Sequence, residues 1–131
     1  MSYIVAAKTV LPEIKYTQNQ LSDFFCIIWP DKKTDIAKFS KSVLVDNRAT
    51  CITLDEVSKL TTFAGRNKLW QEKSVELASN SILKTFENTG LTPQDIDLFI
   101  TTSVTGFSIP SLDTVLMNKL EFNKNTKRMP L

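Results

Sequence analysis

Residues 101–113 read TTSVTGFSIPSLD. Before them lies IDLFITTSV, an apolar, β-rich run without strict alternation, as expected of a strand buried on both faces of a parallel sheet. After them Leu112, Val115, Leu116 and Leu120 fall at helical spacing. In open α/β sheets, ligands bind beyond the carboxyl ends of strands, which is where this loop sits. Gly106 permits either a positive φ or the close approach of another group. Pro110 fixes the entry to the next helix. Ser103, Thr105 and Ser108 offer short hydroxyls, and Val104, Phe107 and Ile109 an apolar wall. The plain alternative is a strand-to-helix connection whose small residues allow tight packing. The glycine and Lys-Ser/Thr pattern of a phosphate-binding loop is absent.

Outward from the loop, the pattern is that of an α/β layered fold. Residues 3–10 are β-branched and small and read as a first strand. Thr17 and Gln20 have capping-box spacing and predict a helix with Leu21, Phe24, Phe25 and Ile28 on one face, stopped by Pro30 and Asp31. Residues 34–42 suit a second helix with Ile36 and Phe39 as its apolar contacts. SVLVDNRATCITL reads as extended, with a turn near Asp46 and Asn47. Thr53 and Glu56 form a second capping box opening a helix to about Leu60. The longest helix is expected over residues 67–89, with Val75, Ala78, Ile82 and Phe86 aligned and Gly90 as its C′ residue. Thr92 and Pro93 open a short helical turn. KRMPL begins a further strand. No internal repeat and no dividing linker is visible, so residues 1–131 read as one domain without a second.

Composition narrows the chemistry. The 131 residues, 42% of them hydrophobic, suffice for one globular core. A net charge of +2 makes no case for nucleic acid or a membrane surface. No apolar stretch has the length of a bilayer span, and the N-terminus lacks the pattern of a signal peptide. A cytoplasmic location with reduced, buried thiols at Cys26 and Cys51 is expected. The chain has no histidine, which removes the usual general base and the commonest metal ligand.

TTSVTGFSIPSLDTVLMNKLEFNKNTKRMPL closely resembles the N-terminal half of type III polyketide synthases, the chalcone and stilbene synthase family, especially its microbial members. The resemblance rests on a strand running into a T-S-x-G-type segment, an apolar residue, Pro, a small residue and Asp. A helix and a linker ending in Lys-Arg follow. SVLVDNRATCITLDE and GLTPQDIDLFITTS extend it more loosely. It implies an α/β chain forming part of a thiolase-like αβαβα layered fold, an incomplete first half, in a homodimer. The implied activity of the complete enzyme is decarboxylative Claisen condensation of an acyl-CoA starter with malonyl-CoA. The CoA thioesters are substrates, and no resident cofactor is implied.

In the family a Cys-His-Asn set performs the reaction. The cysteine comes a few residues past the Lys-Arg segment, beyond Leu131, and neither Cys26 nor Cys51 matches it. No catalytic residue is therefore expected in this chain. By resemblance Val104, Thr105 and Gly106 line the acyl cavity, and Ile109 crosses the dimer interface to close part of the partner's cavity. Lys41, and more loosely Lys38, match the mouth of the CoA tunnel. Arg48 matches a recurrent Arg of structural role. For each, packing or solvation is the plain alternative. Without a second half, the face bearing Leu112, Val115 and Leu116 is expected to lie uncovered. Two other readings stay open: a non-catalytic truncated or dimerising module, and a fragment of a 3-oxoacyl-acyl-carrier-protein synthase-like condensing enzyme.

Overall fold

The computed structural model describes residues 1–131. The chain divides into two compact units, Leu11–Thr61 on the one hand and Met1–Val10 with Thr62–Leu131 on the other.

In the Leu11–Thr61 unit, β1 (Ile14–Thr17) runs directly into α1 (Gln18–Ile28). A 3-10 turn at Pro30–Lys32 leads to α2 (Lys33–Ser42), β2 (Asn47–Thr50) and α3 (Leu54–Lys59). Thr17 ends the strand and caps the helix. Its hydroxyl accepts from the Gln20 amide at 3.2 Å, and the Gln20 side chain accepts from the Thr17 amide at 2.8 Å. This is the reciprocal bonding that the spacing predicts. Leu21 is buried, while Phe25 stacks on Trp29 with ring centroids 5.4 Å apart. β1 and β2 pair antiparallel, with Ile14 opposite Thr50 and Tyr16 opposite Arg48. The Tyr16 hydroxyl then accepts from the amide of Leu54, tying α3 to the hairpin.

Sequence and structure part in several places here. Residues 3–10 form no strand: Tyr3 and Ile4 are exposed, and the segment has no ladder partner to satisfy its backbone. The strand lies four residues past its end, at Ile14–Thr17, where β2 supplies a partner. The reversal before β2 uses Leu44 at φ 50°, and Asn47 already belongs to the strand. Ile36 is half-buried as expected, but Phe39 is exposed.

In the other unit, α4 (Phe63–Glu87) is capped by Thr62, whose hydroxyl accepts from the Gly65 amide at 3.1 Å. It therefore starts a turn earlier than the apolar periodicity suggests. It ends at Glu87, and Gly90 at φ 69° donates its N–H to the Phe86 carbonyl at 3.1 Å. A 3-10 turn at Pro93–Asp95, β3 (Leu98–Thr101), α5 (Leu112–Lys119) and β4 (Lys127–Pro130) complete the unit. β3 and β4 pair parallel, Leu98 opposite Lys127 and Thr101 opposite Pro130. The core sits on one side of this pair. Phe122 is buried between Phe99, 5.0 Å away, and Phe86, 6.4 Å away, and Leu116 is 1% exposed.

The other side of the pair is open. Leu98 is 46% and Ile100 52% exposed, so β3 is not buried on both faces: this chain places a layer on only one of them. Conversely, the face of α5 expected to lie bare is covered. Leu116 is buried and Leu112 and Val115 are half-buried, because α5 packs on α4, β3 and β4. Cys26 and Cys51 are free thiols, half-buried rather than buried.

Two caps carry a pH signature. Hydrogen bonds from the Thr53 amide, then from its hydroxyl, hold the Glu56 carboxyl below its ordinary value. The Thr92 hydroxyl, then its amide, do the same for Asp95. A lowered folded-state pKa means stability present above the unfolded value and lost as pH falls through the folded one. The Glu56→Gln variant, which keeps the capping geometry, is expected to flatten part of the acid limb of a helix-monitored titration. An unchanged acid limb would show that this carboxylate carries no pH-dependent stability.

Candidate functional site

Residues 102–111 leave the carboxyl end of β3, and the parallel register brings the carboxyl end of β4 alongside. One face of α4 clamps this loop. The Asn67 side-chain amide donates to the Phe107 carbonyl at 3.0 Å and accepts from the Phe107 N–H at 3.2 Å. Gln71, one turn on, donates to the same carbonyl at 3.1 Å. Phe63, one turn back, stacks on the Phe107 ring at 5.9 Å. Positions 63, 67 and 71 share a helix face.

Trp70, beside them, explains the glycine. A Cβ built on Gly106 would lie 2.3 Å from the Trp70 ring atom Cδ2 and 2.6 Å from two more. Gly106 has no positive φ, so close approach, not backbone freedom, is what the position requires.

Between loop, strand ends and α5 lies a cleft of 240 Å³, lined by Trp70, Ser103, Gly106, Ser108, Ser111 and Asp113 among others. Asp113, in the first turn of α5, is fully buried. Its Oδ2 accepts from Arg128 Nη1 of β4 at 3.1 Å, and the same nitrogen contacts Thr114 Oγ1. Asp113 Oδ1 has no partner. The pair joins the Asp of the loop motif to the Arg of the Lys-Arg segment.

Of the cavity-wall and tunnel-mouth residues implied by the resemblance, only Gly106 lines this cleft; Ser103, Phe107 and Ser108 of the same loop line it as well. Val104 and Thr105 face solvent, Val104 fully so. Ile109, 93% exposed, borders a neighbouring cleft with Gln71, Val75 and Val115. Lys38 and Lys41 are exposed on α2 and make no ion pair. The clamp of Phe63, Asn67, Trp70 and Gln71 escaped the sequence reading. Its signal is a shared helical spacing that mixes amide and aromatic residues and so lies outside the aliphatic periodicity of α4. Asn67→Ala removes two of the hydrogen bonds and is expected to cost about 1 kcal/mol, because the groups it frees can reach water. Hydrogen exchange at the Phe107 amide reads this directly, and unaltered exchange would remove Asn67 from the clamp.

No group of three or more His, Cys, Asp or Glu side chains converges as a metal site, and no helix is long and apolar enough to cross a membrane. The organised feature is a shaped loop at the strand ends, with Ser103, Ser108, Ser111 and Asp113 along its cleft.

No family model matches the chain. Among curated proteins it is 28% identical over 131 residues to the 1,3,6,8-tetrahydroxynaphthalene synthase of Streptomyces peucetius subsp. caesius, covering 98% of this chain and 35% of that protein. It is 29% identical over 133 residues to the phloroglucinol synthase of Pseudomonas fluorescens, covering 100% of this chain and 38% of that protein. The chain thus spans little more than a third of these relatives. Among solved structures, the 1,3,6,8-tetrahydroxynaphthalene synthase of Streptomyces coelicolor, a bacterial type III polyketide synthase, superposes with a TM-score of 0.83 at 22% identity. That superposition covers 95% of this chain and 36% of the other. PKS-I from the brown alga Ectocarpus siliculosus gives 0.73 at 20% identity, covering 92% of this chain and 36% of that one. The fold is accordingly a part of the thiolase-like architecture.

Proposed function

We propose that this chain, which corresponds in sequence and fold to the amino-terminal portion of a type III polyketide synthase, forms one wall of the acyl cavity of such an enzyme. The activity is decarboxylative Claisen condensation of an acyl-CoA with malonyl-CoA. The observation that carries the reading is the clamped loop. Bonds from Asn67 and Gln71, with Gly106 seated on Trp70, fix residues 103–110 at the carboxyl ends of two parallel strands. A wall must hold its shape while an acyl chain grows against it, and preorganisation of this kind supplies that. Val104 and Ile109 project from the clamped loop and are free to meet a growing chain or a second subunit.

In this reading the reacting groups come from elsewhere. The Cys thiolate, His and Asn of the condensing chemistry belong to sequence that follows the matched segment in the family. The thioesters are substrates and no resident cofactor is needed. Lys38 and Lys41 attract the phosphates of CoA as point charges. A homodimer in the cytoplasm completes the picture.

The 131 residues alone are expected to release no CoA from malonyl-CoA with a panel of acyl-CoAs, since they contain no histidine. The test proper is a chimera. This chain replaces the matched segment of the Streptomyces peucetius relative, and CoA release is followed with malonyl-CoA. Turnover supports the reading. A folded, dimeric chimera that is inert would defeat it.

A further inference from the structure

Within the Leu11–Thr61 unit, α1, α2 and β2 enclose a groove of 710 Å³ that the condensing-enzyme reading does not use. Its volume is in the range of small-molecule sites. Leu21, Phe25 and Trp29 form one wall and Ile36 and Phe39 the other, with Ala49 and Thr50 between them. The Phe25 and Trp29 rings are nearly parallel, 13° apart, and stack on one another to make an aromatic wall. Trp29 is 53% and Phe39 64% exposed, so both walls are open to an occupant.

The polar groups of the groove are few. Arg48 projects from β2, held in register opposite Tyr16. Its Nε donates to Gln18 Oε1 at 3.0 Å, which fixes the plane of the guanidinium. The two terminal nitrogens make no hydrogen bond. An anchored guanidinium with an open fork matches a carboxylate, which it can hold through two parallel bonds. Lys32 adds a second cation and Asp35 a single anion, so the lining has a surplus of one positive charge. That balance suits a monoanion.

We propose that this groove binds an apolar monocarboxylate, its body between the Phe25–Trp29 and Ile36–Phe39 walls and its carboxylate on Arg48. The proposal goes beyond the condensing-enzyme reading and stands apart from it, since it involves neither the loop nor CoA.

The test is calorimetric titration of the 131-residue chain with 2-naphthoate and with its uncharged methyl ester. Naphthoate is expected to bind more tightly than the ester. Arg48→Gln should weaken naphthoate by about tenfold, the scale of a charge-assisted hydrogen bond at an open site, and leave the ester unchanged. Arg48→Lys keeps the charge, loses the fork and should fall between. Phe39→Ser, which removes one wall, should weaken both ligands. Helical circular dichroism of each variant verifies the fold, and Arg48→Lys serves if Arg48→Gln does not fold. Equal binding of naphthoate and ester, or indifference to Arg48, would overturn the carboxylate assignment. Absence of binding, with Phe39→Ser altering the sedimentation of the chain, would show that a second copy fills the groove and would also overturn it.

Discussion

Gly106→Ala is expected to cost about 2 kcal/mol, the scale of forcing an extra carbon into a packed contact. The new Cβ would overlap the Trp70 ring, 2.3 Å from its nearest atom. The ring is flat and carried by α4, so it cannot yield as the tip of a flexible side chain would. Nor can the loop back away cheaply, since Phe107, the next residue, is bonded to Asn67 and Gln71. The contact is separable from general damage by a double-mutant cycle with Trp70→Ala. That variant is destabilised by its own cavity, but in its background the alanine at 106 should cost little. Urea unfolding of the four proteins measures the coupling. The same penalty for Gly106→Ala with and without the tryptophan would show that the glycine is needed for some other reason.

Arg128→Met is expected to cost more, on the order of 3 kcal/mol, because it strands a buried charge. Asp113 is 0% exposed, its Oδ1 already has no partner, and Arg128 is the cation on its Oδ2. The reverse deletion is milder. Arg128 has 47% of its side chain exposed and can be hydrated when Asp113 is changed to Asn. The asymmetry is the test: Arg128→Met should lower stability more than Asp113→Asn. A larger loss for Asp113→Asn would mean that the carboxylate serves a purpose other than pairing with Arg128.

Much of the architecture could be read from the chain because its local signals agree with one another. Thr17 with Gln20, Thr53 with Glu56 and Thr92 with Pro93 each marked a helical start that the structure contains. Gly90 follows the end of α4 with a positive φ, but the helix stops at Glu87 with Asn88 as its C-cap, so the C′ position falls on Thr89 and the glycine comes one residue later. Failures came where tertiary partners decide. Residues 3–10 have strand composition, yet a strand exists only where another strand meets it, and β2 meets Ile14–Thr17 instead. The apolar run of β3 predicts burial on both faces, while Leu98 and Ile100 lie bare because this chain covers only one face. At the site, the loop was legible through its glycine, proline and hydroxyls. Its support was not. Asn67 reaches Phe107 across 40 positions and Arg128 reaches Asp113 across 15, separations at which no local pattern operates.

The clamped loop is proposed to shape an acyl cavity. Product length in the active chimera tests it most directly. Val104 projects fully from the loop, so Val104→Phe should narrow the cavity and shorten the polyketide. Ile109 is 93% exposed at the other end of the clamp, and Ile109→Ala should widen the cavity and lengthen the accepted acyl chain. Mass spectrometry of the products, with malonyl-CoA and a series of acyl-CoA starters, reads both. Opposite shifts in the two variants are the expected result. Identical product distributions from the unmodified chimera and from both variants, at comparable turnover, would contradict the account.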